Sequence, residues 1–194
     1  MKSITLLVLV AATALAGPPM ICQPVDIGDA KSLPWKPVNT WNGADPAYDL
    51  ASLSSDLLAL LTPSAAIPLR METMRRAAIY AAGNQTLAAQ LSSRLLARVA
   101  NAEAAGKQLS IYWFDAGYFV ETLRQASFIY RYDMLSPAEK STWQLRGDPA
   151  PLDGKPWIEK AIRLGGGGME VALLKVEEYR QADLKRNQKL LSVK

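Results

Sequence analysis

The chain has 194 residues, with 22 Lys and Arg against 18 Asp and Glu for a formal charge of +4, and it contains no histidine. Apolar residues make up 49% and charged residues 21%, a balance that supports a buried core and excludes a disordered chain. The missing histidines and the single cysteine, Cys22, exclude a His-based triad, a His-rich zinc motif, a CxxC redox pair and an internal disulfide, so any catalysis must rest on Asp, Glu, Lys, Arg, Ser, Thr or Tyr.

The N-terminus reads as an export signal over residues 1–16. Lys2 supplies a positive charge, Ile4 to Leu15 is an uncharged apolar run, and Ala14-Leu15-Ala16 offers small residues at the two positions a signal peptidase reads. The run is roughly 12 residues, well short of the roughly 20 that a membrane-spanning helix needs, and no later segment is comparable. The expectation is cleavage after Ala16, a secreted or periplasmic location and no integral membrane segment after signal removal. The residues before Cys22 (Pro19, Met20, Ile21) do not fit a lipid-attachment site. The cysteine then reads as a free thiol, a partner for an intermolecular disulfide or a small apolar residue packed under the N-terminal segment.

Residues 17–45 hold Pro18, Pro19, Pro24, Pro34 and Pro37 without any helical or strand period. Proline fixes φ and removes a donor, so this segment reads as an extended arm. Its two tryptophans, Trp35 and Trp41, are the candidate docking residues that bind the arm to the rest of the chain.

Residues 46–194 read as a single helical domain. Asp45 and Pro46 fit an N-cap and first helical position, and Leu50, Leu53, Leu57, Leu60 and Leu61 recur at helical steps before Pro63. A second helix runs from about Pro68 to Ala82, with Met71, Met74, Ala78 and Ala81 on one face. Asn84 caps a third, with Leu87, Leu91, Leu95 and Val99 in register, closed by Gly106. The fourth, about Leu109 to Tyr130, is apolar on most of its circumference and so belongs at the centre. Ser136-Pro137-Ala138-Glu139 is a capping box that opens a short fifth helix ending near Gly147. A sixth spans about Pro156 to Leu164, Gly165 to Gly168 break it, and a last helix follows from Met169 into a Lys/Arg-rich tail.

The fold class expected is all-α: an irregular antiparallel bundle or paired-helix array of about seven helices behind an extended arm. The helix starts are unevenly spaced, so no repeat of fixed period runs through the chain.

Few motifs carry chemistry. The four-glycine run lacks the Lys-Ser/Thr of a phosphate loop and the strand before it, and reads as a hinge. Asp115 is the one acid set among aromatics, beside Trp113 and Phe114 and close to Tyr112, Tyr118 and Phe119. Burial there raises a carboxyl pKa and can prepare a general acid, unless another helix supplies an arginine partner. Glu72 with Arg75 and Arg76, Glu121 with Arg124, and Glu159 with Arg163 read as surface ion pairs on solvated faces. Neither a cofactor nor a metal is implied, and nucleic acid is disfavoured by modest charge and export. The leading expectation is a non-catalytic exported protein that binds another protein or scaffolds an envelope assembly. The runner-up is a small carboxylate-dependent hydrolase or lyase centred on Asp115. A carrier of an apolar ligand between helices comes third.

Overall fold

A computed structural model describes residues 20–37, 41–134 and 152–192, without the side chains of 130–134, 183 and 185–192. The chain is all-α. The helices are α1 (Leu53–Leu60), α2 (Ile67–Ala81), α3 (Gln85–Ala104), α4 (Ser110–Met134), α5 (Lys155–Arg163) and α6 (Glu170–Ser192). Short 3-10 turns occupy Met20–Cys22 and Leu50–Ser52. The capping box at Ser136 and the export signal fall outside the described residues. No helix among the described residues is long and apolar enough to cross a membrane. Among the same residues the only β-type pairing is an isolated antiparallel bridge between Trp35 and Ala44.

Local chemistry accounts for most boundaries. The Asn84 side chain accepts from the Leu87 N–H at 3.0 Å and starts α3. Leu87, Leu91, Leu95 and Val99 then turn inward one above another. The first helix begins later than its leucine period implies. Asp45 accepts from Ala47 N–H in a turn rather than capping a helix, and Asp49 caps the 3-10 turn ahead of α1. Gly165, at φ +85°, supplies the left-handed residue that ends α5. Its N–H donates to Ile162 O and the Gly166 N–H to Ala161 O, so these two amides of the glycine run are taken up by the helix they terminate.

The centre is α4, which packs against α2, α3 and α5. Every residue from Phe114 through Thr122 is buried. A helix surrounded on all sides keeps no solvated stripe, and this one has none over that stretch. The closest approach is at Gly117 and Gly154, where a Cβ on Gly117 would meet Gly154 O at 2.6 Å. Glycine at both positions lets the start of α5 lie directly on the α4 backbone. Beneath that contact, Glu121 accepts from the Gly154 N–H at 2.8 Å, so a carboxylate of α4 caps the positive end of α5.

Candidate functional site

The interior is not wholly apolar. Glu72, Asp115 and Glu121 are all buried, together with Arg70 and Arg75. The sequence pattern places Glu72–Arg75–Arg76 and Glu121–Arg124 on solvated surfaces; the structure corrects this, because α2 and α4 are enclosed by other segments of the chain. Lys155 and Glu159 on α5, with Glu177 on α6, form a comparable cluster at the surface.

The first of three clusters is built on Glu72. Its carboxylate accepts from Arg75 Nε at 2.7 Å, Arg75 Nη2 at 2.8 Å and Arg76 Nε at 2.8 Å. It also accepts the backbone N–H of Val25 at 3.0 Å. The arginines have donors left over. Arg75 Nη1 reaches Ile21 O at 2.9 Å and Trp41 O at 3.4 Å, and Arg76 Nη1 reaches Leu33 O at 2.7 Å. Both guanidinium groups also lie over the Trp35 ring, at 4.9 and 5.4 Å. Burial works against the Glu72 carboxylate, but the arginines and the Val25 amide overcome it and hold its pKa below the ordinary value.

The second cluster is built on Asp115. Arg70 Nη1 donates to both carboxylate oxygens, at 2.9 and 2.7 Å, and Arg98 Nη1 lies 3.3 Å from Oδ2. Arg70 Nε then reaches Ala65 O at 3.0 Å, and its Nη2 donates to Thr62 O. Arg98 Nη2 reaches Leu61 O at 2.8 Å, and the guanidinium sits 4.3 Å from the Tyr112 ring centre. Leu61, Thr62 and Ala65 form the end of α1 and the turn after it, where helix carbonyls lack internal partners. Burial pushes the Asp115 carboxyl up to about 6, against the pull of Arg70 and Arg98.

The third cluster is built on Glu121. Arg180 of α6 donates to it at 2.8 Å from Nη2 and 3.2 Å from Nε, and Arg180 also pairs with Asp153 at 2.5 Å. Arg124 Nη2 reaches Leu152 O at 2.6 Å.

One arrangement thus recurs. A buried carboxylate on α2 or α4 neutralises an arginine, and arginines of each cluster donate to carbonyl groups of segments that have no helical partner for them. Guanidinium suits this role because its donors diverge in a fixed plane, and an ammonium group cannot span carboxylate and carbonyl in the same way.

Of the residues singled out from sequence, Trp35 and Trp41 are half-buried and meet at Arg75, one through its ring and one through its carbonyl. Tyr80 stands beside them. Its ring meets Trp35 edge-on at 6.3 Å, and its hydroxyl donates to Pro34 O and accepts from the Asp45 N–H. Asp115 belongs to a separate cluster and meets neither tryptophan. Cys22 is half-buried in the first 3-10 turn. No group of three or more Cys, Asp and Glu among the described residues is placed to hold a metal ion.

Chemically, a substrate would have to displace Arg70 or Arg98 to reach either oxygen of Asp115. Compared with protein-family models, with curated proteins and with solved structures, the chain matches none.

Proposed function

We propose that the chain is an exported, non-catalytic helical protein that binds another protein or scaffolds an assembly of the envelope or secreted space. The observation that carries this reading is the saturation of the buried acids. Glu72, Asp115 and Glu121 are each engaged by two or more donors, and arginines beside them bind backbone carbonyls. Catalytic carboxylates work by exchanging protons with a substrate, which requires an accessible oxygen. These carboxylates are instead arranged to hold irregular segments in place. Export rests on Lys2, the apolar run from Ile4 to Leu15 and the small residues before Gly17.

One observation favours the runner-up. A carboxyl with its pKa raised to about 6, as burial does for Asp115, lies in the range of a general acid. A screen of the purified exported protein on peptidoglycan, peptide, ester and glycan substrates separates the two readings. The expected result is no turnover. Turnover that vanishes in a still-folded Asp115→Asn would replace the scaffold with a hydrolase. N-terminal sequencing of the exported protein should start at Gly17 or a few residues later, and a product retaining Met1 would refute the export reading.

A further inference from the structure

Anchorage of the N-terminal segment is already complete at residues 20 and 21. Met20 is 4% exposed and Ile21 is fully enclosed. The Ile21 N–H donates to Gln125 Oε1 of α4 at 3.3 Å, and its carbonyl accepts from Arg75 Nη1 of α2 at 2.9 Å. Gln125 and Arg75 are themselves buried, so both bonds lie inside the body and not on its surface. A little further on, Lys175 of α6 donates to Gln23 Oε1 at 3.2 Å, and the Val25 N–H is taken by Glu72. Residues 20–25 are thus fixed to α2, α4 and α6.

The bond that export requires to be cut lies directly beside this anchorage. The proposed signal ends at Ala16, and only Gly17, Pro18 and Pro19 separate the scissile bond from Met20. Three residues span at most about 11 Å when fully extended. A protease takes its substrate as an extended strand, and main-chain hydrogen bonds hold that strand in the groove. A bond so close to a folded body cannot be seated there without a clash. Folded proteins are cut through local opening, at a rate that follows the population of the open form. Opening here means withdrawing Met20 and Ile21 from the core and breaking the bonds to Gln125 and Arg75.

We infer that processing and docking are ordered: the signal is removed while residues 20–25 are undocked, and a precursor that folds first is protected from its own peptidase. The inference rests on the export reading proposed above. The chain must therefore reach the peptidase before α2, α4 and α6 close on the segment, and residues 20–25 dock after the cut.

The test follows cleavage of the full precursor, residues 1–194, by a purified signal peptidase in nonionic detergent. One sample is folded beforehand, and the other is diluted from urea straight into the peptidase. The unfolded precursor should be cut after Ala16, and the folded one roughly tenfold more slowly or worse. Two variants locate the cause. Ile21→Ala loosens the anchorage and should speed cleavage of the folded precursor several-fold, with the unfolded rate unchanged. Insertion of about twelve Gly and Ser residues after Pro19 carries the bond clear of the body, so folded and unfolded rates should converge while circular dichroism stays the same. Equal rates for folded and unfolded wild type overturn the inference. So does an Ile21→Ala precursor cut no faster than wild type, or an insertion variant that remains as slow. A precursor without helical structure before cleavage overturns it too, since nothing would then oppose the peptidase. If even the unfolded precursor is not cut, the export reading itself fails and takes the ordering with it, so the two failures are told apart.

Discussion

Helices α2 and α5 each carry an acid and a base four residues apart, in opposite settings. On α2, Glu72 is followed by Arg75 and Arg76 at three and four residues; on α5, Lys155 is followed by Glu159 at four. By spacing alone both are helix-surface ion pairs. On α2 the carboxylate is about 1% exposed, whereas on α5 both partners are a quarter to a third exposed. What separates them is the neighbouring chain. The segment before α1 runs along α2 with little secondary structure of its own, and its carbonyls at Ile21, Leu33 and Trp41 need donors that a helix cannot offer. The α5 pair has no such segment to satisfy. Burial of an ion pair here follows from the hydrogen-bond needs of irregular backbone, and residue spacing does not encode those needs.

The sharpest way to break the comparison is to remove the carboxylate. Glu72→Ala leaves Arg75 buried without its counter-charge and the Val25 amide without an acceptor, and should cost about 3–5 kcal/mol in urea or thermal unfolding. An isolated buried pair can often be replaced by apolar residues at little cost. That should fail here. Glu72→Leu/Arg75→Leu removes one charge of each sign but takes a partner from the Ile21 and Trp41 carbonyls, the Val25 amide and the Arg76 guanidinium, so the double variant should remain destabilised by about 1–3 kcal/mol. Full recovery in the double variant would show that the cluster is an ordinary ion pair without a role in holding the N-terminal segment.

Removing a ring instead of a charge should cost less. Trp35 is half-buried, under Arg75 and Arg76 and against Tyr80. Trp35→Ala should lower stability by about 2–3 kcal/mol, less than a fully enclosed tryptophan because part of the ring already faces water. Hydrogen exchange should speed up first in residues 20–48, before α3 or α4. Unchanged melting would show that the segment is held by its backbone bonds alone.

Much of the fold was legible in the sequence. The apolar spacing of α2, α3 and α4 places those helices within a few residues, and the Asn84 cap and the Gly165 break are where composition puts them. The start of α1 is not legible, because Asp45-Pro46 satisfies the cap rules for a turn as well as for a helix. The buried clusters are not legible either, because an i,i+3 or i,i+4 pair looks the same on any face. One signal was present. No lysine occurs between Lys36 and Lys107, so α2 and α3 carry their positive charge only as arginine, while α5 and α6 contain Lys155, Lys160 and Lys175. Arginine without lysine marks helices whose cations meet carboxylates and carbonyls rather than water. Asp115 was legible as a buried acid; its partners Arg70 and Arg98 were not, because they lie 45 and 17 residues away.

The clusters should also differ in how they respond to acid. The Asp115 carboxyl is raised to about 6, so the folded protein binds that proton more tightly than the unfolded chain does. Its contribution therefore grows as pH falls from 7 through 6 and is lost again as pH rises. Glu72 is lowered, so its contribution is present above its ordinary value and lost as pH falls below it. Between pH 7 and pH 5 the wild type should gain on the order of 1 kcal/mol relative to Asp115→Asn, which cannot titrate. The check is urea unfolding of both proteins at the two pH values. A gap that stays constant, or that moves against the wild type, would place the Asp115 carboxyl under the control of its arginines rather than of burial.

The smallest effect belongs to the surface pair, and it decides whether the comparison holds. Lys155 lies between Glu159 and Glu177, and its ammonium is held above its ordinary pKa by those carboxylates. Three charges this close look as elaborate as the Glu72 cluster. Yet each side chain reaches water, salt screens the attraction, and fixing long side chains costs rotamer entropy. The Lys155 ammonium pairs with the side-chain carboxylates of Glu159 and Glu177, so its removal should leave the irregular chain as well paired as before. Lys155→Ala should therefore change stability by less than about 0.5 kcal/mol, and even that difference should shrink in high salt. A loss comparable to that of Glu72→Ala, unchanged by salt, would mean that exposure does not separate the two helices and that the α5–α6 contact depends on this lysine.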